Sequence, residues 1–158
     1  IKLLLHVVLV EPEIPQNTGN IARTCAATNT TLHLVKPLGF NIDDKSVRRA
    51  GLDYWKYVDL IVHDSLDKFL FEYGNARLFL ATTHGENCYT DFEYEDGDMF
   101  LFGRETRGLP KELISRYNDT AIRIPMSENT RLRSLNLANS VNIVLFEALR
   151  QNGFPGLL

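Results

Sequence analysis

The stretch that decides the fold is residues 122 to 141, IRIPMSENTRLRSLNLANSV. It runs from a short strand through a polar loop into a helix whose apolar residues recur at three- and four-residue steps. Backbone N–H groups at a helix start lack intrahelical partners, so such a loop is a natural place to hold a ligand. The loop is also rich in side-chain donors, namely Arg131, Arg133, Ser134 and Asn136. We therefore predict a binding site here, although an N-cap series of Ser134, Asn136 and Asn139 explains part of the pattern.

The rest of the chain alternates between strand and helix patterns. Strands are predicted at 5–10, 31–35, 58–62, 77–82, 99–102 and 121–124. Helices are predicted at 43–50, 65–73 and 110–117, and two more are predicted to begin at 17 or 18 and at 137. This alternation predicts a single α/β domain over residues 1–158, with helices flanking a mostly parallel sheet. Ligands bind beyond the carboxyl ends of such strands. Three strand ends stand out, at 82–83, 103–105 and 125–126.

Composition narrows the class of protein. The 158 residues are 44% hydrophobic and 23% charged, which is ordinary for one globular domain. The net charge of −3 means that any contact with nucleic acid must use a local basic patch. The two cysteines and four histidines have no metal-ligand spacing, so we expect no metal, reduced thiols and a cytoplasmic protein. The longest apolar run, Leu3 to Val10, is too short to span a membrane.

The segment from Asn17 to Arg23 predicts an anion site. Asn17 or Thr18 is a plausible N-cap, and Asn20 and Arg23 are three residues apart on one helix face. A helix start favours an anion such as phosphate, and an arginine fork matches phosphate. Simple capping with a surface arginine is the alternative interpretation.

Residues 102–109, FGRETRGL, form a second candidate loop. The loop lacks the GK[ST] ending of a phosphate loop and the GxGxxG pattern of a dinucleotide site. Gly103 would let a ligand approach the backbone, and Glu105 could accept a hydrogen bond from a hydroxyl or amine. A glycine-rich turn with surface charges remains the alternative.

A short basic helix precedes an aromatic pair. Lys45, Arg48 and Arg49 lie just before Tyr54 and Trp55. Cations interleaved with aromatic rings suit an RNA backbone with bases stacking nearby, although a solvated helix face is an equal alternative. Together these segments indicate a glycine-lined pocket with several donors but no obvious base, nucleophile or metal, which fits a transfer reaction driven by positioning.

Three ordered motifs give this pattern a family. They are EPEIPQNTGNIARTC at 11–25, LFGRETRGLP at 101–110, and IRIPM with SLNLANSV within 122–141, while DDKSVRRAGLDY fills 43–54. Together they resemble the SPOUT class of RNA 2′-O-methyltransferases, more narrowly the small TrmL/YibK-like enzymes that modify the tRNA wobble position. The resemblance implies a parallel α/β sheet whose C-terminal part forms a deep trefoil knot. It also implies a homodimer with a shared active site.

The same resemblance implies S-adenosyl-L-methionine as cofactor and tRNA as partner. The methyl group would go to the ribose 2′-oxygen of the wobble cytidine or modified uridine. The implied cofactor-binding residues are Ala81, Thr82, Gly103, Ile124, Met126, Ser134 and Leu135. The implied catalytic residues are Arg23, supported by Asn17, Glu105, Ser134 and Asn136. For gripping the RNA we expect Lys45, Arg48, Arg49, Arg131 and Arg133.

A guanidinium is too weak a base to take the proton of the attacking hydroxyl. We therefore expect Arg23 to bind phosphate and stabilise charge on the 2′-oxygen. Two alternatives stay open from the residues, namely methylation of another tRNA or rRNA position and a non-catalytic RNA-binding module of the same fold.

Overall fold

Seven parallel strands form one sheet within the residues that the computed structural model describes, which are 2–43, 45, 47, 49, 52–129 and 133–158. The strands are β1 (His6–Val10), β2 (Thr31–Val35), β3 (Asp59–His63), β4 (Leu78–Ala81), β5 (Asn87–Cys88), β6 (Met99–Phe102) and β7 (Ala121–Arg123). Their order across the sheet is β3-β2-β1-β6-β4-β7-β5. The predicted parallel α/β sheet is therefore confirmed.

Helices cover both faces of the sheet. They are α1 (Pro15–Ala27), α2 (Leu66–Tyr73), α3 (Lys111–Arg116) and α4 (Leu137–Gln151), with short 3-10 helices at Leu52–Tyr57 and Asn118–Thr120. The predicted basic helix at 43–50 lies partly outside the described residues, because only 43, 45, 47 and 49 of it are described. No helix in the described part of the chain has the length and apolar character needed to cross a bilayer.

Alternating strand residues build two separate cores, because successive side chains of a strand point to opposite faces. Val7 and Leu9 of β1 pack in one core with residues of α1 and α4. Val8 and Val10 pack in the other, with Phe69 of α2 and residues of α3. The long apolar runs that predicted doubly buried strands are explained by these two layers.

The sheet order brings the three predicted strand ends together. β4 pairs with β6 on one side and with β7 on the other, all in parallel. The carboxyl ends of these strands therefore open at the same edge of the sheet, where ligands bind in α/β folds.

Two local predictions were wrong. Helix α1 begins at Pro15, not after a cap at Asn17 or Thr18, and Ile14 is its N-cap residue without a side-chain cap of its own. Proline suits the first helical position, and a carboxylate from a distant loop replaces the missing cap, as described below. No element was predicted between the strands at 77–82 and 99–102, but this segment contains β5, which at two residues is too short to give a sequence pattern.

Candidate functional site

A cavity of about 560 Å³ opens where β4, β6 and β7 end. This volume lies within the range of roughly 300–1,000 Å³ that small-molecule and cofactor sites occupy. Every residue predicted to bind a cofactor lines it, namely Ala81, Thr82, Gly103, Ile124, Met126, Ser134 and Leu135. Asn17, Glu105 and Asn136 line it as well. The sequence motifs therefore meet at one place in the fold.

The loop after β6 is folded tightly back on itself. The backbone N–H of Arg104 donates to Gly108 O at 3.2 Å, and Gly108 N–H donates to Arg104 O at 2.8 Å. A Cβ atom at Gly103 would lie 2.0 Å from the carbonyl carbon of Gly108, and Gly108 has a positive φ of 68°. Both glycines are therefore required by geometry, which leaves the residues between them to face the cavity and its rim.

Glu105 joins this loop to the start of α1. Its carboxylate accepts the backbone N–H of Glu13 at 2.9 Å and of Ile14 at 2.6 Å, and the side-chain N–H of Asn17 at 3.3 Å. A carboxylate beside a helix N-terminus is favoured by the free N–H groups and by the helix dipole. Three of its roughly four acceptor positions are thus occupied. Glu105 acts here as a clamp between two motifs and is poorly placed to accept a substrate proton.

Asn136 extends the clamp to the third motif. Its side-chain oxygen accepts Ala138 N–H at 2.9 Å and so caps α4, while its side-chain N–H donates to Asn17 Oδ1 at 3.1 Å. The prediction of a cap at Asn136 is confirmed. Ser134 lies before the cap and Asn139 lies inside the helix, so neither is the cap residue.

A second set of contacts holds the outer side of the loop. Arg104 forms an ion pair with Glu11, and this hydrogen bond raises the pKa of the guanidinium. Glu13 accepts the hydroxyl of Thr106 at 2.7 Å and its N–H at 3.1 Å. These two hydrogen bonds lower the pKa of the Glu13 carboxyl. The carboxylates of Glu11 and Glu13 are thereby occupied by partners within the protein. They neutralise little of the positive charge on the other cations of segment 104–111.

Arg23 is not at this cavity. It is exposed on α1, and its guanidinium carbon lies 5.0 Å from the ring centroid of Tyr54. It lies six positions after Asn17, which on an α-helix is about 9 Å along the axis and about 120° around it. Asn17 faces the cavity of its own chain, whereas Arg23 points to a different side.

Three of the residues predicted to grip RNA lie apart from the cavity. Lys45, Arg49 and Arg133 are exposed and line no part of it. Arg48 and Arg131 lie outside the described residues.

Several lining residues had no role predicted for them, although the strand ends at 82–83 and 103–105 include two of them. They are Thr83, His84, Arg104, Arg107, Lys111 and Ser140. The signal available for three of them was the density of cations in 104–111, RETRGLPK.

A largely apolar cavity with polar groups, beyond the carboxyl ends of parallel strands, is where small molecules and cofactors bind in open α/β folds. Among the described residues, no group of His, Cys, Asp and Glu side chains is arranged to hold a metal ion. The fold and cavity therefore define an α/β protein that positions a bound molecule.

The chain belongs to the SpoU rRNA Methylase family, whose model matches residues 4–146. A tRNA (cytidine(34)-2′-O)-methyltransferase of Burkholderia cenocepacia is 50% identical over 156 residues, which cover 97% of this chain and 99% of that protein. The resemblance to this class of RNA methyltransferases is thus confirmed.

Solved structures agree with this membership. A structure that concerns 2-OH methylation of C/U34 on tRNA has a TM-score of 0.90 and 46% identity, covering 95% of this chain and 97% of the other. An AdoMet-bound rRNA methyltransferase of Sinorhizobium meliloti has a TM-score of 0.81 and 27% identity, covering 92% of this chain and 56% of the other.

Proposed function

We propose that this protein transfers a methyl group from S-adenosyl-L-methionine to the ribose 2′-oxygen of the wobble nucleotide, cytidine or modified uridine, in the tRNA anticodon loop. The single observation that supports this most is the meeting of all three motifs around one cavity of suitable size. Two of the relatives above also support it over nearly the whole chain: the one at 50% identity is named a tRNA (cytidine(34)-2′-O)-methyltransferase, and the structure at 46% identity concerns 2-OH methylation of C/U34 on tRNA. S-adenosyl-L-homocysteine is then the product left in the cavity.

The cavity suits this cofactor chemically. Ile122, Ile124 and Leu135 give it apolar walls for an adenine ring, and the hydroxyls of Thr82 and Ser134 lie among its lining residues. When bound, S-adenosyl-L-methionine supplies a methyl group that is already activated by its positively charged sulfur. The task left to this chain is to orient the 2′-hydroxyl, to let its proton pass to solvent water, and to stabilise the negative charge that develops on its oxygen.

The clamp of Glu105, Asn17 and Asn136 performs the positioning. It fixes the loop after β6, the start of α1 and the start of α4 relative to one another. We assign Glu105 and Asn17 to this positioning role, because their polar atoms are already hydrogen-bonded within the chain. Ser134 lies exposed at the rim and is left to contact the nucleotide.

Arg23 acts on the reaction from a second copy of the chain. It is exposed and directed away from the cavity of its own chain, so a homodimer with shared active sites would bring it to the other cavity. Three large apolar side chains are exposed where a partner could cover them: Ile14 at 42%, Leu135 at 42% and Phe146 at 45%. Ile14 and Leu135 also line the cavity, so a partner seated there would close it.

The remaining features of the proposal follow the family. The chain acts as one methyltransferase unit over residues 1–158, its C-terminal part forms the trefoil knot, and the enzyme works in the cytoplasm without a metal. Tritiated methyl transfer to purified tRNA and to rRNA tests the activity. Label in tRNA alone supports the proposal, and label in rRNA alone contradicts it. A chain that binds S-adenosyl-L-methionine in calorimetry but labels neither RNA would be a binding module.

A further inference from the structure

A second, smaller cavity adjoins the first. Its volume is about 270 Å³, and it lies between the end of β1 and the segment 104–111. This is below the range of roughly 300–1,000 Å³ for whole ligands, so it suits one chemical group of a larger molecule. Five residues line both cavities, namely Arg104, Arg107, Gly108, Leu109 and Lys111. The two spaces therefore share a wall, and groups bound in them would lie side by side.

The smaller cavity has positively charged side chains that are not paired within the described part of the chain. Arg104, Arg107 and Lys111 line it together with a single acid, Glu11. Glu11 forms an ion pair with Arg104. Within the described part of the chain, the side chains of Arg107 and Lys111 make no hydrogen bond or ion pair, and both residues are exposed.

Glu13, an acid close to Arg107, does not cancel this charge. Glu13 lies close enough to Arg107 for the guanidinium to contribute to its lowered pKa, but its carboxylate is held by Thr106 and lines neither cavity. Two cations are thus presented at a concave surface on a chain whose net charge is −3. Such a local field attracts an anion, although the protein as a whole repels one.

We propose that this smaller cavity is a phosphate subsite, in which Arg107 and Lys111 bind the RNA backbone phosphate next to the acceptor nucleotide. The inference rests on the proposed function, since it places the acceptor ribose next to the cofactor at the larger cavity. The arginine fork matches phosphate oxygens in a bidentate manner, and lysine adds a point charge. Of the residues assigned to the cofactor, none lines the smaller cavity, so the carboxylate of the cofactor is the less suitable anion.

Three variants test the subsite: Arg107→Gln, Lys111→Gln and, as a matched control, Arg116→Gln. Arg116 is exposed on the same helix as Lys111, and its loss changes the net charge equally, but it lines neither cavity. The tRNA dissociation constant is measured against salt concentration. We expect each cavity variant to weaken binding about tenfold and to reduce the slope of log K against log salt by ~0.7–0.9. The control keeps the wild-type slope.

Calorimetry with S-adenosyl-L-methionine supplies the second readout. The subsite requires that both cavity variants bind the cofactor within twofold of wild type. Cofactor affinity lost in these variants would assign the cations to the cofactor carboxylate and overturn the subsite. The subsite would also be overturned if the cavity variants and the control had the same slope of log K against log salt, because Arg107 and Lys111 would then contribute no more than any other surface charge. Methyl transfer by the wild-type protein separates the two proposals. If the wild type methylates tRNA and the cavity variants bind tRNA as well as it does, the subsite alone is overturned. If the wild type neither binds nor methylates tRNA, both proposals are overturned.

Discussion

The side-chain N–H of Asn136 donates a 3.1 Å hydrogen bond to Asn17 Oδ1, although 119 positions separate the two residues. Asn17 in turn donates to Glu105 at 3.3 Å. One residue from each of three sequence motifs therefore takes part in a single hydrogen-bonded chain. Because the amide of Asn136 also caps α4, the same side chain sets both the helix start and its distance from α1.

Asn136→Asp separates these two roles. The aspartate keeps the oxygen that accepts Ala138 N–H, but it loses the side-chain N–H that donates to Asn17. It also places a negative charge beside Asn17 Oδ1. We expect the free energy of unfolding to fall by about 1–3 kcal/mol and cofactor affinity to weaken, because the clamp opens while the cap remains. Urea unfolding and calorimetry measure the two effects. The control is Asn139→Asp, an exposed residue in the first turn of α4, where a negative charge is favourable. If the two variants had the same free energy of unfolding and the same cofactor affinity, the hydrogen bond from Asn136 to Asn17 would not act as a clamp.

Gly103→Ala probes the folded-back loop. The added methyl group would meet the backbone of Gly108 and Leu109 at 2.0–2.1 Å, which real Cβ atoms do not approach. We expect a loss of cofactor binding together with a free energy of unfolding lowered by roughly 3 kcal/mol or more, since backbone atoms must move. Calorimetry and urea unfolding test this. An alanine variant with wild-type affinity and stability would show that the loop does not close as described.

Arg23→Ala tests the shared active site. Loss of a donor that stabilises the developing negative charge should lower methyl transfer by about 10²–10³-fold. Cofactor affinity should not change, because Arg23 does not line the cavity. A loss of cofactor affinity would contradict this role.

Mixed dimers extend the test of Arg23. Equal amounts of the Arg23→Ala and Gly103→Ala chains are unfolded, mixed and refolded. About half of the dimers should then be mixed, and each mixed dimer should contain one intact site out of two. We therefore expect about a quarter of wild-type activity to return. Co-expression of the two chains gives the same mixture if refolding fails. No recovery in the mixed dimers would mean that each chain supplies its own arginine.

A row of three histidines makes the stability depend on pH. His33 lies between His6 and His63 on adjacent strands, with ring nitrogens 2.9 Å apart on each side. Burial lowers the pKa of His33 to about 3, and it lowers the pKa values of the other two. A lowered histidine pKa favours the neutral ring in the folded state. The contribution to stability is therefore full above pH 6.5 and is lost as the pH falls below it, at about 1.4 kcal/mol per pH unit for His33.

Asp98 opposes this trend over part of the range. Burial raises the pKa of its carboxyl to about 6 despite its ion pair with Arg77. A raised carboxyl pKa favours the protonated form in the folded state, so this group adds stability as the pH falls from about 6 towards 4. We expect Asp98→Asn to steepen the loss of stability between pH 6.5 and 5, measured by urea unfolding. A variant whose unfolding free energy is flat or rises on acidification would refute the histidine assignment.

Much of the framework could be predicted from local patterns. Apolar runs such as Leu5–Val10 identified buried strands, and the cap at Asn136 followed from its place before a periodic helix. The strand ends at Thr82, Gly103 and Met126 were sufficient to predict a common site, because parallel strands share a carboxyl edge.

What could not be predicted depended on contacts between distant residues. The start of α1 was misplaced because its cap, Glu105, lies about 90 residues further along the chain. The histidine row could not be predicted, because it depends on strand order and register: His33 pairs two positions beyond His6 on β1, and His63 pairs two positions beyond His33 on β2. The smaller cavity required knowing that the end of β1 faces Lys111.

The most direct test of the central claim is to locate the methyl group. Purified wild-type protein, S-adenosyl-L-methionine with a labelled methyl group and tRNA isolated from cells lacking this activity are incubated together. Nucleoside mapping then identifies the labelled position. We expect 2′-O-methylated cytidine or uridine at the wobble position and no label on a base. Label on a base, at another tRNA position or nowhere in the tRNA would contradict the account.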